Sequence, residues 1–191
     1  MPGMLPAFAS SFLHCVLFYF LENKLKPMNN GYSILMRLRS RVLVFLTHNM
    51  ALPVLRFIRK PQVFPYTALQ LKDLPRGTLG FDLVNFLERK NLKLLPHYAK
   101  HDIKHILLQY DTTDEGEVCL QCFMLGNGHI SFPVAATVLY GFVTMPEYWK
   151  KFRVAYRRGK NSIRIKNWLW FSILQEPTQS LIHKINNDAK N

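Results

Sequence analysis

The chain has 191 residues, of which 49% are hydrophobic and 13% aromatic, so it can bury a substantial core, which argues against a disordered protein. Twenty-five Lys and Arg against 12 Asp and Glu give a formal net charge of +13, which favours a polyanionic partner such as an anionic membrane, a nucleic acid or a phosphorylated ligand. Three cysteines cannot form a complete disulfide framework, so the composition favours a reducing cytosol over a disulfide-stabilised secreted protein.

Residues 1–30 are interpreted as an apolar N-terminal arm. Residues 1–21 carry no formal charge, but Pro6, two serines and a histidine weaken a transmembrane prediction, since a spanning helix needs about 20 apolar residues. No basic residue precedes the apolar stretch, so the criteria for a signal peptide fail as well. Two interpretations stay open, an interfacial anchor and a misassigned start with translation beginning at Met28.

Helical periodicity dominates residues 31–175, which predicts one all-α domain, and residues 176–191 are interpreted as a polar C-terminal tail. Residues 32–60 are typical of a basic amphipathic helical stretch kinked at Pro53. Two interpretations of that stretch are equally favoured. It could lie on a membrane surface, or it could pack its apolar side on the core and leave its basic side in solvent. Residues 79–91 predict a further helix with its leucines directed inward.

His101 and His105 are four residues apart, so on a helix they project from the same face and can share one metal ion. Asp102 adjoins the first histidine, and Glu117 opens the apolar run 118–125, which predicts a buried helix. A buried carboxylate is costly unless it is paired or bound to metal. Two imidazoles with one or two carboxylates suit zinc or a similar divalent metal, with one position open for water or substrate. The pattern therefore predicts a metal site between two adjacent helices.

Other interpretations of these residues stay open. Histidines four apart occur often by chance and are commonly solvated or satisfied within a core. Asp114 followed three residues later by Glu117 also resembles a helix-capping box, in which Asp114 would cap the helix. Cys119 and Cys122 have redox-pair spacing, but their apolar helical context favours two core residues.

The C-terminal half combines apolar and basic segments. Residues 134–145 are uncharged and mostly apolar but too short to span a bilayer, which predicts a buried helix. Residues 148–168 interleave eight Lys and Arg with five aromatic residues, a pattern that suits nucleic-acid binding or a membrane interface. The apolar run 168–174 favours the membrane.

His101-Asp102-x-x-His105, followed after eleven residues by Glu117, resembles the signature of the fourth coenzyme Q (ubiquinone) biosynthesis protein family. The resemblance covers roughly residues 65–160 and extends to further segments, which are Pro75-Arg76-Gly77-Thr78-Leu79-Gly80, Asn85-Phe86-Leu87, Thr112, Gly116-Glu117-Val118 and Tyr156-Arg157-Arg158-Gly159.

The resemblance implies a helical protein bound peripherally to a membrane, which holds polyprenyl lipids and organises other quinone-biosynthesis enzymes. It implies four metal ligands, which are also the expected catalytic group: His101, Asp102, His105 and Glu117. The implied activity is oxidative decarboxylation at C1 of a polyprenylated benzoate ring, with zinc or another divalent metal as Lewis acid. No arginine-rich mitochondrial presequence precedes the domain, so we expect a bacterial homologue, cytoplasmic and peripheral at the inner membrane.

A ligand-binding role is also expected for two basic residues, because Arg157 or Arg158 could pair with a carboxylate or phosphate of the bound molecule. The expected partners are a membrane surface, a polyprenyl lipid or quinone precursor, other quinone-biosynthesis enzymes and a second copy of the chain. One alternative function is a non-catalytic lipid-binding scaffold for those enzymes. A more distant one is a nucleic-acid-binding protein in which the histidine motif is accidental.

Overall fold

The computed structural model describes residues 63–95 and 98–187, together with Ile34 and Leu38. The chain divides into two units, residues 1–54 and residues 55–191. In the first unit Ile34 and Leu38 are helical and exposed. The predicted N-terminal arm and the rest of the predicted amphipathic stretch lie outside the described residues.

The described part of the second unit is helical and contains no β-strand, which confirms the predicted all-α class. Its α-helices are α1 (Ala68–Lys72), α2 (Leu79–Arg89), α3 (Ala99–Leu108), α4 (Asp114–Gly126), α5 (Phe132–Thr144), α6 (Trp149–Asn161) and α7 (Thr178–Asn187), with a 3₁₀ turn at Pro146–Tyr148.

Helix α4 is the most extensively packed element, as the apolar run 118–125 predicts. It packs against α6, α5 and α3, and its buried residues are Gly116, Val118, Cys119, Leu120, Cys122, Phe123 and Met124. A helix that is apolar on nearly every face needs cover on several sides. Glu117 lies in the first turn of α4. The packing of this helix therefore fixes the position of the predicted carboxylate ligand.

Helices α4 and α6 cross closely because each contributes a glycine to the contact. A Cβ atom at Gly126 would overlap the Tyr156 carbonyl oxygen, and one at Gly159 would overlap the Phe123 carbonyl oxygen. The backbones can approach this far only where no side chain intervenes.

Asn127 ties the segment after α6 to the end of α4. Its side chain is 1% exposed, and Nδ2 donates to the carbonyl oxygens of Gly159 and Ile163 at 3.1 and 2.7 Å. Oδ1 accepts from the backbone amide of Ile165 at 2.9 Å. The buried amide is therefore bonded at both ends, as a buried polar group requires.

The C-terminal segments differ from the sequence expectations. Over residues 178–187, the expected polar tail is helix α7, which buries Leu181, Ile182 and Ile185 in the core. Its apolar residues are separated by polar ones at helical spacing, so only one face is apolar. The run 168–174, expected at a membrane, also contributes to the core, because Trp170 and Leu174 are 4% and 2% exposed.

Helix α5 is only partly the buried helix that its composition predicts. Val134, Tyr140 and Gly141 are buried, but the opposite face is exposed and entirely apolar, with Phe132, Ala135, Ala136, Leu139, Phe142 and Val143. We call these six residues the α5 outer face. Within the described ranges, no helix combines the length and apolar character needed to cross a membrane.

Candidate metal centre

Helices α3 and α4 bring together three of the four predicted ligands. His101 and His105 lie one turn apart on α3, and Glu117 lies in the first turn of α4. The His105 Nε2 atom is 2.9 Å from Glu117 Oε1 and 3.1 Å from His101 Nε2. The third distance, His101 Nε2 to Glu117 Oε1, is 3.0 Å, so the three atoms form a nearly equilateral triangle.

The triangle has the dimensions of one face of a tetrahedral metal site. Ligands placed about 2.0–2.1 Å from one zinc ion lie about 3.3–3.4 Å from each other, a few tenths of an ångström longer than the observed edges. Two imidazole nitrogens and a carboxylate are also a donor set that zinc accepts in catalytic sites. The residues present therefore fit a divalent ion.

His105 is held firmly by its surroundings. Its side chain is 1% exposed, its Nδ1 atom donates to the Tyr110 carbonyl oxygen at 2.9 Å, and the Phe86 ring stacks on it at 6.4 Å between centroids. A carbonyl can only accept, so Nδ1 carries the proton and Nε2 of the neutral ring keeps its lone pair for a metal. Ligand histidines are characteristically oriented by such a bond from the other ring nitrogen.

The centre is open on one side. The side chains of His101 and Glu117 are 36% and 27% exposed, in contrast to the enclosed His105. A metal bound to all three would therefore keep access for water or for a ligand atom, as an open catalytic position requires.

Glu117 is ionised and His105 favours its charged form when no metal is bound. Burial by itself would raise the pKa of Glu117, but the charges and hydrogen bonds of His101 and His105 outweigh it and hold that pKa well below its ordinary value. Burial would lower the pKa of His105, but the Glu117 carboxylate, the hydrogen bond to the Tyr110 carbonyl oxygen and the charge of Asp102 together outweigh it, so the net shift is upward. A proton on His105 Nε2 occupies the lone pair that a metal ion would need. Protons and a metal therefore compete for this nitrogen.

Asp102, the fourth predicted ligand, is not part of this triangle: among the residues that the structure describes, the group of ligand atoms within 4.8 Å of one another comes from His101, His105 and Glu117. Successive helical residues point about 100° apart, so Asp102 leaves α3 in a different direction from His101. Burial raises the pKa of Asp102, and the nearby histidine charges partly offset the rise. Asp102 thus lies near enough to interact electrostatically with all three residues of the triangle, and its charge helps to raise the pKa of His105.

The start of α4 excludes a capping role for Glu117. Thr113, rather than the expected Asp114, is the N-cap, and its Oγ1 accepts from the Gly116 amide at 3.1 Å. A capping box needs its acidic residue at the third helical position, which is Gly116, and Glu117 is one residue further on. The Glu117 carboxylate turns to the histidines instead.

The two arginines expected to bind a ligand differ in their surroundings. Arg158 donates to the Leu108 carbonyl oxygen at 2.6 Å and to Asn186 Oδ1 at 2.9 and 3.1 Å, so its guanidinium group is engaged by the protein. Arg157 is exposed. A ligand-pairing role is therefore easier to assign to Arg157 than to Arg158.

The cysteine pair agrees with the core interpretation. Cys119 and Cys122 are 5% and 1% exposed, and burial raises the pKa of Cys119 to about 11 and that of Cys122 to about 12. Such thiols stay protonated at neutral pH and are poor nucleophiles and poor metal ligands.

A cavity of about 590 Å³ lies between the start of α4 and α6, and Tyr110, Cys119, Lys151 and Val154 contribute to its wall. None of the three triangle residues lines it. The cavity and the triangle thus occupy different faces of α4.

The sequence does not identify the contact that Tyr110 makes, because it uses a backbone carbonyl oxygen, which every residue has. Phe86 belongs to a segment of the family resemblance, but its stacking on His105 could not be predicted from a helix fifteen residues before His101. Thr113, in contrast, could have been identified, because threonine before an acidic first turn is a common N-cap.

Comparison with known proteins gives a structural relative. No protein-family model matches the chain, and no curated protein matches it. The fold is similar to the crystal structure of a protein from Nostoc punctiforme named as a candidate ubiquinone biosynthesis protein, with a TM-score of 0.55 and 18% sequence identity over 95% of this chain and 99% of that chain. At this identity the likeness shows a shared helical fold.

Proposed function

We propose that this chain is a metal-binding protein of quinone biosynthesis, peripheral at a membrane, which acts on or holds a polyprenylated aromatic precursor. The observation that carries the proposal is the triangle of His101, His105 and Glu117, with His105 oriented by the Tyr110 carbonyl oxygen. The motif resemblance and the fold shared with the Nostoc protein support the quinone assignment.

Each residue of the centre has a distinct part in this proposal. His105 supplies a fixed nitrogen from the enclosed side, while His101 and Glu117 supply ligands at the open side. A divalent ion held there, with zinc as our first choice, would polarise a carboxylate or phenolic oxygen of an aromatic headgroup. For an enzymatic role the reaction we propose is oxidative decarboxylation at C1 of a polyprenyl hydroxybenzoate-type substrate. The carboxyl group would leave as carbon dioxide, a hydroxyl group from water would take its place, and dioxygen would accept the two electrons and become hydrogen peroxide.

The membrane part of the proposal is supported by the α5 outer face and the helix that follows it. The face is apolar, with Leu139 and Val143 66% and 72% exposed, and Trp149 at the start of α6 is 49% exposed. Exposed Lys and Arg residues then follow along α6. Apolar surface, an interfacial tryptophan and adjacent basic residues together suit an anionic lipid surface.

Metal analysis of the full chain, purified without a His-tag and reconstituted with zinc, tests the proposal. We expect about one zinc per chain in the wild type, and its loss in each of His101→Ala, His105→Ala and Glu117→Ala, because a site with three ligands does not survive the removal of one. His183→Ala, a change of an exposed histidine on α7, is the matched control and should retain zinc. Unchanged zinc in the three ligand variants, or none in the wild type, would contradict the assignment.

Turnover and lipid retention then separate an enzyme from a scaffold. If the protein is an enzyme, the ligand variants should lose decarboxylation of the prenylated substrate but should still bind lipid and partner enzymes. In a scaffold with a structural metal, the same variants lose assembly with the partner enzymes, and the wild type shows no turnover.

A further inference from the structure

The end of α3 lies directly beside the metal centre and makes a sharp turn. Gln109 has φ 59°, in the left-handed region that non-glycine residues seldom adopt without outside support. This turn separates two carbonyl groups, those of Leu108 and Tyr110. The Tyr110 carbonyl oxygen accepts from His105 Nδ1 at 2.9 Å, so the geometry of the turn decides whether that bond can form.

Arg158, on α6, supports the turn from the other side. Its Nη1 atom donates to the Leu108 carbonyl oxygen at 2.6 Å, an acceptor in the last turn of α3 with no partner within the helix. Its guanidinium carbon lies 5.3 Å from the Tyr110 ring centroid and the same distance from that of Phe123. One group therefore contacts both residues that flank Gln109.

The guanidinium group is itself held in place. Its Nε and Nη2 atoms donate to Asn186 Oδ1 at 3.1 and 2.9 Å, and these two bonds fix the plane of the guanidinium group. Arginine can bond two acceptors in this rigid arrangement, whereas lysine offers a point charge on a flexible chain. Asn186 lies on α7, so three helices converge on the turn.

We infer that Arg158 is a positioning residue, which fixes the turn after α3 and thereby orients His105 through the Tyr110 carbonyl oxygen. Its guanidinium group is bonded to Leu108 and Asn186, so in this inference it acts on the centre through the turn. The inference rests on the proposed function as far as metal affinity is concerned, but the hydrogen bond of His105 can be measured without any metal.

The first measurement is NMR of the full metal-free chain labelled with ¹⁵N-histidine, at about pH 6, where a charged imidazole donates from both nitrogens. The His105 Nδ1 proton, assigned by its absence in His105→Ala, should exchange slowly with water in the wild type. In Arg158→Gln we expect exchange at least about tenfold faster, because the carbonyl acceptor is no longer held in place. Arg157→Gln, the exposed neighbour, should leave the signal unchanged.

The second measurement is zinc affinity by chelator competition. Loss of a group that orients a ligand typically weakens metal binding by about 10–100-fold, and we expect Arg158→Gln to lie near the lower end. Arg158→Lys should bind zinc little better than Arg158→Gln, because lysine keeps the charge but lacks the planar guanidinium group that bonds Leu108 and Asn186 together. Asn186→Asp keeps the acceptor and should retain wild-type affinity, whereas Asn186→Ala should weaken binding.

A control separates positioning from general stability. Asn127→Ala removes three buried hydrogen bonds at the other end of α4 and should destabilise the fold without altering the His105 signal or zinc affinity. If Arg158→Gln fails to fold, Asn186→Ala decides the question by the same two measurements.

Wild-type exchange and affinity in Arg158→Gln would overturn the inference, and so would equal losses in Asn127→Ala. A wild type that binds no zinc would defeat the proposed function alone, because the exchange of the His105 Nδ1 proton still decides the role of Arg158.

Discussion

His101 and His105 occupy the same helix face but have different environments. His105 is enclosed, stacked on Phe86 and bonded through Nδ1, while more than a third of the His101 side chain is exposed. The asymmetry gives one ligand whose orientation is fixed before a metal arrives and one that can adjust. Preorganised ligands of this kind raise metal affinity because less side-chain freedom is lost on binding.

The pH dependence of stability follows from the two opposite pKa shifts. The lowered pKa of Glu117 means that its contribution is present above the ordinary value of 4.5 and is lost as the pH falls through the folded-state pKa. The raised pKa of His105 means that its contribution is present below the ordinary value of 6.5 and is lost as the pH rises through the folded-state pKa. We therefore expect metal-free protein to be less stable at about pH 8.5 than at about pH 6.

Urea unfolding at the two pH values checks this expectation, with and without saturating zinc. Zinc binding needs deprotonated ligands, so the stabilisation that zinc confers should grow over the range in which the metal-free protein weakens. His105→Gln removes the titrating group and should reduce the alkaline loss in metal-free protein. Greater stability of the metal-free wild type at the higher pH would contradict the His105 shift.

At the scale of the helices, the crossing of α4 and α6 determines the shape of the centre. It places Arg158 against the end of α3 and fixes the helix that carries Glu117. The crossing depends on Gly126 and Gly159, each of which lies against a carbonyl oxygen of the other helix. A side chain at either position would push the two helices apart.

Gly159→Ala tests this dependence. Overpacking a close contact typically costs about 1–3 kcal/mol, and the better helix propensity of alanine returns up to about 1 kcal/mol. We expect a net loss of about 2 kcal/mol in the free energy of unfolding, measured by urea denaturation. Arg157→Ala, at an exposed position of the same helix, should stay within about 0.5 kcal/mol of the wild type. Equal stability of Gly159→Ala and the wild type would show that the helices can separate without cost.

At the scale of the whole molecule, the net charge of +13 and the α5 outer face point to the same kind of partner. A second copy of the chain would carry the same charge of +13, and like charges disfavour that contact. An anionic bilayer meets both the apolar face and the basic residues favourably. A nucleic acid would satisfy the charges but would leave the apolar face exposed to water.

Vesicle sedimentation of the full chain checks the membrane proposal. Leu139→Asp places a charge on the α5 outer face and should weaken binding to phosphatidylglycerol-containing vesicles by about tenfold or more, since burial of one leucine contributes about 1.5–3 kcal/mol. The matched control is Leu69→Asp on α1, where the wild-type leucine is 75% exposed. Comparable losses in both variants, or binding only to nucleic acid with a steep salt dependence, would contradict the membrane proposal.

The sequence by itself predicted the helical class and named the three residues that meet, two from their spacing on one helix and Glu117 from its place at the start of the next. His101 and His105 share a face whatever surrounds them, and the apolar run after Glu117 required a buried helix. The same pattern and the resemblance also named Asp102, which is not part of the group of three. Helix periodicity was sufficient for the histidine pair, whereas the meeting with Glu117 also needs the packing of α4 against α3.

Only the tertiary structure decided which groups surround the centre and which apolar surfaces are covered. Arg157 and Arg158 are indistinguishable by composition, and the α4–α6 crossing alone separates the exposed one from the one bonded to Leu108. Composition likewise predicted burial for α5 and exposure for α7, and the packing of neighbouring helices left a face of α5 exposed and buried one face of α7. Burial depends on contacts between segments distant in the chain, and local sequence patterns do not contain those contacts.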